Sequence, residues 1–298
     1  MHYWFEKTHI YNGGEEVKLN YNFSVDWGDG SPIEKFSHDE NIAKGINHVS
    51  KCKHYFKKEG IYRVTLLGEV DALYGYNGNT YEGNKRSKSL INTLRGLIVP
   101  KNCYSPLKYA PGTFFGCEKL EYLGNNVFDN LTTCTSVAHL FDGAKITQLP
   151  DGLLDKCVNL EDASYIFEAC DIIYVPRNIF HNCPKLTNVE HAFHRSNKLK
   201  RVPDDLFANN PLITNASECF RACKSLEDIS GEIFDNCPLL DDVSYTFANN
   251  AFGDYPNKQY IKKIPPLWER ENPPSKHVGY AAGCQNASNW NEVPDGWK

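Results

Sequence analysis

The chain has 298 residues, long enough to bury a core without cross-links, with 32 Lys and Arg against 37 Asp and Glu, a net charge of -5 and a pI near 6.1. Its 21 Gly and 16 Pro are close to average usage, which excludes a collagen-like or low-complexity chain. Basic and acidic residues number 13 and 12 up to Arg95 but 19 and 25 from Gly96 onward, and this acidic balance argues against nucleic acid as a partner, because phosphate binding needs clustered Lys and Arg.

No stretch approaches the roughly 18 apolar residues of a membrane span, so no membrane insertion is expected. The opening MHYWFEKTHI has neither the basic region nor the apolar core of an export signal, so Sec export from this start is not expected. Eleven cysteines leave at least one unpaired, and no Cys-x2-Cys pair or His-x3-His cluster gives a zinc spacing. Reduced, buried thiols are therefore expected, with no metal and no cofactor.

Residues 1 to about 95 read as strands. Val17, Leu19, Tyr21, Phe23 and Val25 alternate with period two, as in a half-buried strand. Asp26-Trp27-Gly28-Asp29-Gly30-Ser31 then supplies turn residues, Glu34 to Lys53 reads as an exposed loop, and Ile61 to Leu66 reads as a second strong strand after a Gly60 turn. Val25-Asp-Trp-Gly-Asp-Gly, followed by His54-x-Phe-x3-Gly60-x-Tyr62-x-Val64-x-Leu66, resembles the PKD-like domain, which implies an Ig/PKD-like β-sandwich over 1-95. Asp26 and Asp29 alone fall short of the six to eight oxygens that calcium prefers, so the motif is expected to be structural.

From residue 96 the chain repeats. Phe141, Phe167, Phe193, Phe220 and Phe247 are spaced 26 or 27 apart, and so are Phe128, Leu154, Phe180, Phe207 and Phe234. Three residues after the second series stand Cys157, Cys183, Asn210 and Cys237, and three after the first stand Ala144, Cys170, Ser196 and Cys223. A unit this short cannot bury its own apolar face, so neighbouring units must stack with equivalent positions about 5 Å apart. Each coil is expected to contain short extended segments joined by one-turn or 3₁₀-like helices, with Pro203-Asp204-Asp205 as a helix start. Phe180-x2-Cys183-Pro-x-Leu186-x2-Val189-x3-Phe193 resembles the BspA-like class of bacterial leucine-rich repeats. That resemblance implies a β-rich fold class: the β-sandwich of 1-95, then over 96-298 a leucine-rich-repeat solenoid of 26-27-residue coils ending in a capping half-repeat around Ala281 to Trp297.

The sequence carries no nucleophile elbow, phosphate-binding Gly loop, HExxH or paired-carboxylate motif, and its cysteines fall at repeat-core positions, so no catalytic residues and no enzyme are expected. Leu19-Asn-Tyr and Tyr74 to Tyr81 offer aromatic and amide groups that suit sugars. The sharper binding candidate is a stripe two residues before the first phenylalanine series: His139, Tyr165, His191, Glu218 and Tyr245, polar or amphipathic in every coil and lined up along one face.

The two resemblances together imply non-enzymatic recognition or adhesion, and repeats of this class occur in bacterial surface proteins and in proteins of their phages. Without an export signal, a phage virion component is expected: a fibre, tail or capsid-decorating protein made in the host cytoplasm. Its partners would be other virion proteins or a host surface protein or glycan, with self-association allowed. The alternatives are an adhesin on the bacterial cell surface and, from another class, a carbohydrate-active accessory protein or enzyme.

Overall fold

The computed structural model describes residues 9-12, 15-18, 21-37, 57-58, 61, 63-70, 94-99, 110-226, 229-248 and 263-298. The N-terminal strands are β1 (His9–Asn12), β2 (Glu15–Lys18), β3 (Tyr21–Asp26), β4 (Glu34–Ser37) and β5 (Thr65–Val70). β1 and β2 form an antiparallel pair, and β3 lies between β4 and β5 in an antiparallel three-stranded sheet. Phe23, Val25 and Trp27 are buried, in keeping with the period-two reading. Glu34 opens a strand where a loop is expected, and the strand expected over Ile61 to Leu66 begins only at Thr65 and continues to Val70.

Local chemistry explains the turn after β3. Asp26 Oδ1 accepts the Gly28 amide at 2.8 Å and Asp29 Oδ1 accepts the Ser31 amide at 3.0 Å, while Trp27 Nε1 donates to Glu34 Oε1 at 2.9 Å. Both aspartates thus serve their own turn. Gly28 has φ +73°, and a Cβ there would lie 2.3 Å from the Arg63 carbonyl oxygen, so no other residue fits. His54, Gly60 and Tyr62 of the PKD-like pattern, and the candidate sugar-binding segments Leu19-Asn20 and Tyr74 to Tyr81, lie outside the described residues.

The repeats stack as their spacing predicts, but not as the expected class. Phe114, Phe141, Phe167, Phe193, Phe220 and Phe247 form one buried file with near-parallel rings 5.3 to 5.7 Å apart. Phe180, Phe207 and Phe234 form a second file at 5.9 and 5.4 Å. Such stacked pairs contribute about 0.5–1.5 kcal/mol each beyond burial of their area. The path between them is made of turns. β6 (Gly96–Leu97) and β7 (Tyr122–Leu123) pair in parallel, after which, among the described residues, β-bridges between coils involve single residues: Ser136, Asp162, Asn188, Asn215, Asp242 and Lys276 in one series, with Tyr174 to Arg201 beside it.

The fold class expected from sequence is therefore corrected. Among the described residues the strands are few, they lie in small sheets that do not close, and neither a β-sandwich nor a leucine-rich-repeat solenoid with a continuous parallel sheet is formed. The expected one-turn helices do not recur in each coil: the segment after Pro203 is a turn, and among the described residues 3₁₀ helix is found at Leu267–Glu269, Trp290–Glu292 and Asp295–Trp297.

The physical reason lies in the backbone. His139, Tyr165, His191, Glu218 and Tyr245 have φ between 53° and 57°, and four residues later Gly143, Ala169, Arg195 and Ala222 are left-handed as well. Two left-handed residues in the arcs from His139, Tyr165, His191 and Glu218 interrupt an extended strand. Alternate amides still reach the next coil: Val137, His139, Phe141 and Gly143 donate to the carbonyls of Asp162, Ser164, Ile166 and Glu168 at 2.7 to 3.0 Å. The amides of Leu140, Asp142 and Ala144 close tight turns within their own coil.

Side chains at the bridge column set up this arc. Ser164, Glu190, Ser217 and Ser244 donate their amides to the Oδ1 atoms of Asp162, Asn188, Asn215 and Asp242 at 3.0 to 3.1 Å, and Ser136 Oγ accepts the Ala138 amide at 3.2 Å. Short polar side chains that bond their own backbone two residues on favour such turns.

The cysteine positions have a hydrogen-bonding role as well as a packing one. Cys223 Sγ donates to the Phe193 carbonyl at 2.9 Å and Cys284 Sγ to that of Phe247 at 3.2 Å, and the Ser196 hydroxyl bonds the Phe167 carbonyl in the same way. Asn210 Nδ2 donates to the carbonyls of Phe180 and Cys183 at 3.0 and 2.8 Å. A small buried residue is what the position requires, and serine and asparagine can replace cysteine as the donor there, while Ala144 fills it by packing alone. All nine cysteines among the described residues are free, and all but Cys223 are buried.

Candidate functional site

The five stripe residues are brought into one file, with unequal exposure. The rings of His139 and Tyr165 stack at 4.5 Å, and those of Tyr165 and His191 at 4.4 Å, with interplanar angles of 15° and 13°. Glu218 replaces the ring in the next coil. Its carboxylate lies 3.5 Å from His191 Nε2 and accepts Arg221 Nη1 at 2.8 Å, and the Arg221 guanidinium lies 5.2 Å from the centre of the Tyr245 ring. The His139 side chain is 45% exposed, whereas those of His191 and Glu218 are 15% and 19% exposed. The stripe is a half-buried stack rather than an outward row of separate side chains.

The backbone under this stack is strained. A left-handed non-glycine residue costs roughly 1–2 kcal/mol. In the two coils that flank the stripe the same position is Gly112, at φ +63°, and Gly279, at φ +60°. A Cβ on Gly279 would lie 2.5 Å from the Tyr245 ring, so that coil has no room for a side chain.

A second column stands beside the first. It is formed by the residues that follow each phenylalanine, Asp142, Glu168, His194 and Arg221, and it went unread in the sequence. The signal was available as one more series at the same spacing. His139 Nδ1 and Asp142 Oδ2 are 2.8 Å apart, His191 Nδ1 and His194 Nδ1 2.9 Å, and His194 Nδ1 and Glu168 Oε1 3.0 Å. The two columns interlock into one network of carboxylates, imidazoles and a guanidinium.

Burial and neighbouring charge shape the ionisation of this network. Burial raises the Asp142 carboxyl, partly offset by the hydrogen bond to His139, and burial together with the charges of Asp242 and Glu218 raises Glu190. Burial would raise Glu168 too, but the hydrogen bond from His194 and the charges of His194, His191 and His139 outweigh it and hold the group below its ordinary value. Burial, reinforced by His194, lowers His191 against the pull of Glu218. The Tyr165 hydroxyl is pushed up to about 12 by burial and by Glu190, Glu168 and Glu218.

A separate open groove is lined by Val158, His181, Pro184, Asn209, Pro211 and Asn236, with Asn209 Nδ2 2.7 Å from His181 Nδ1. It brings together no charged pair. Among the described residues no helix is long and apolar enough to cross a membrane. No protein-family model matches the chain, and no curated protein matches it significantly.

Proposed function

We propose that the chain is a non-enzymatic recognition protein that binds its partner along the stack His139, Tyr165, His191, Glu218 and Tyr245. The observation that carries this reading is the pairing of strain with side chains. Interior coils hold large polar residues at a left-handed position that the flanking coils fill with glycine. Large side chains kept at a backbone cost are a mark of a working surface.

The chemistry of the stack defines the partner. Stacked rings cover one another's faces and leave their edges outward, so the strip offers polar edges, with the His139 side chain 45% exposed, rather than a flat platform. Polar edges repeated once per coil suit a hydroxyl-rich glycan or a polar protein ridge. On a phage virion, the setting expected from the sequence, that partner would be on the host surface or would be another virion protein.

The experiment compares the parent chain with the double variant Tyr165→Ala, Tyr245→Ala on a glycan array and on intact bacterial cells. Loss of binding by a variant with an unchanged circular dichroism spectrum is the expected result. Equal binding by a folded variant overturns the proposal.

A further inference from the structure

Three ligand atoms converge beside the stack. One ligand atom each of Glu168, His191 and His194 lies within 4.8 Å of the others, and His194 Nδ1 is 2.9 Å from His191 Nδ1 and 3.0 Å from Glu168 Oε1. His194 is itself 7% exposed, and its Nε2 is buried without a hydrogen-bond partner.

Protons alone do not satisfy this arrangement. If His194 carries its proton on Nδ1 and donates to Glu168, the His191 Nδ1 lone pair faces a nitrogen whose hydrogen points elsewhere. If His191 donates to His194 instead, the Glu168 carboxylate faces a lone pair at hydrogen-bond distance. Doubly protonating His194 adds an N–H on the buried Nε2 and still leaves His191 Nδ1 without a donor. Each assignment leaves one close polar contact unfavourable in a buried place, where such contacts cost most.

A cation between the three atoms removes the conflict among them, because all three groups then present lone pairs to it, and it leaves each imidazole proton on Nε2, the side that faces the Glu218 charge. The spacing fits. Two ligands about 2.1 Å from one ion are about 3.0 Å apart at a right angle and about 3.4 Å apart at the tetrahedral angle. We infer that Glu168, His191 and His194 form a binding site for a first-row divalent transition metal, held by two imidazoles and one carboxylate. Imidazole nitrogen selects for zinc, nickel, cobalt, iron or copper over magnesium and calcium, which take oxygen.

The surroundings support the assignment. The Glu218 carboxylate lies 3.5 Å from His191 Nε2 and 4.0 Å from His194 Nε2, so its negative charge faces the ring nitrogens turned away from the ion without a hydrogen bond to either. The Glu168 and His191 side chains retain 19% and 15% exposure, so an ion has a way in and open positions remain for water or a partner's donor. The nearby His139 and Asp142 satisfy each other at 2.8 Å and are not needed as ligands. This site stands on its own geometry and does not depend on the proposed recognition role.

The test uses the full chain, dialysed against chelator and titrated with Co²⁺ followed by visible absorption, then with Zn²⁺ in calorimetry. One ion per chain is expected, with cobalt bands that zinc displaces. Glu168→Gln and His194→Ala should each weaken zinc binding by at least about tenfold, while His181→Ala, in the separate groove, leaves it unchanged. Should His194→Ala fail to fold, Glu168→Gln, which alters a partly exposed side chain, decides the matter. Absence of saturable binding by the parent, or zinc affinity unchanged in folded Glu168→Gln, overturns the assignment.

Discussion

Arg270 does in the last coil what Asn210 does two coils earlier. The Asn210 amide donates to the carbonyls of Phe180 and Cys183, and the Arg270 guanidinium donates to those of Phe234 and Cys237, the equivalent pair. Arg270 reaches them from beyond the end of the repeat and thereby supplies the donor that another coil would have given. Each of the Phe180 and Cys183 carbonyls also accepts a turn amide of its own coil, from Cys183 and Leu186 at 3.1 Å, so losing Asn210 removes a second donor rather than the last one. Asn210→Ala should therefore lower stability in urea denaturation by about 1–2 kcal/mol, the net worth of two hydrogen bonds. Asn210→Cys, which restores the residue found at Cys183 and Cys237, should lose less than the alanine variant. Arg270→Ala should cost less than Asn210→Ala, because its site is partly open to water.

Ala169 and Ala222 sit at φ 49° and 57°, where Gly116, Gly143 and Gly283 sit in other coils. Glycine ordinarily destabilises relative to alanine, but at a left-handed position the sign reverses. Ala169→Gly and Ala222→Gly should each raise the denaturation midpoint, by about 1 kcal/mol in stability, and Gly143→Ala should lower it by a similar amount. A fall on placing glycine at 169 would show that the left-handed arc is wrong.

Burial pushes the Cys134 thiol up to about 11 and those of Cys183, Cys237 and Cys284 up to about 12. A native protein should therefore react slowly with a thiol reagent and show no titration of these groups up to pH 10, while denaturation exposes all eleven cysteines. The stability consequence has a definite sign. Unfolded thiols lose protons near their ordinary value of 9.0 while the folded ones keep theirs, so the unfolded state binds fewer protons above that pH. Stability should be complete below pH 9 and fall as pH rises toward 11 and 12, as a series of melts across that range would show.

Tyr165 is sandwiched between two histidine rings, whereas Tyr245 has the Arg221 guanidinium beside it and Gly279 beneath. Tyr165→Gly removes two ring contacts and relieves a left-handed residue at once, and Tyr165→Ala removes the contacts without the relief. The glycine variant should be the more stable of the two by about 1 kcal/mol in thermal or urea melts, a reversal of the usual order.

The two phenylalanine files were legible from spacing alone, because every 26 or 27 residues a large apolar side chain must be buried and nothing but its counterpart can cover it. What spacing does not carry is the backbone path. Tyr165, Glu218 and Tyr245 have no preference for left-handed φ, and the mild preference of His139 and His191 is too weak to betray the turns that replace strands. The column Ser136, Asp162, Asn188, Asn215 and Asp242 did hold that information: short polar residues recur at the head of each arc, as turn formers do. The histidine cluster was hidden for another reason. His191 and His194 are near in sequence, but Glu168 comes from the previous coil, and no motif with local spacing contains it.

The two files also divide every coil into halves that behave differently. Thirteen residues separate Phe128 from Phe141, Leu154 from Phe167, Phe180 from Phe193, Phe207 from Phe220, and Phe234 from Phe247. The return path takes thirteen from Phe141 to Leu154 and fourteen from Phe193 to Phe207 and from Phe220 to Phe234. The half with the aromatic stack keeps one length because its amides, left-handed residues and rings must all meet their counterparts next door. The other half absorbs every insertion. New loops grafted between residues such as Ser196 and Pro203 would lengthen the protein's edge while leaving the stacked face in register.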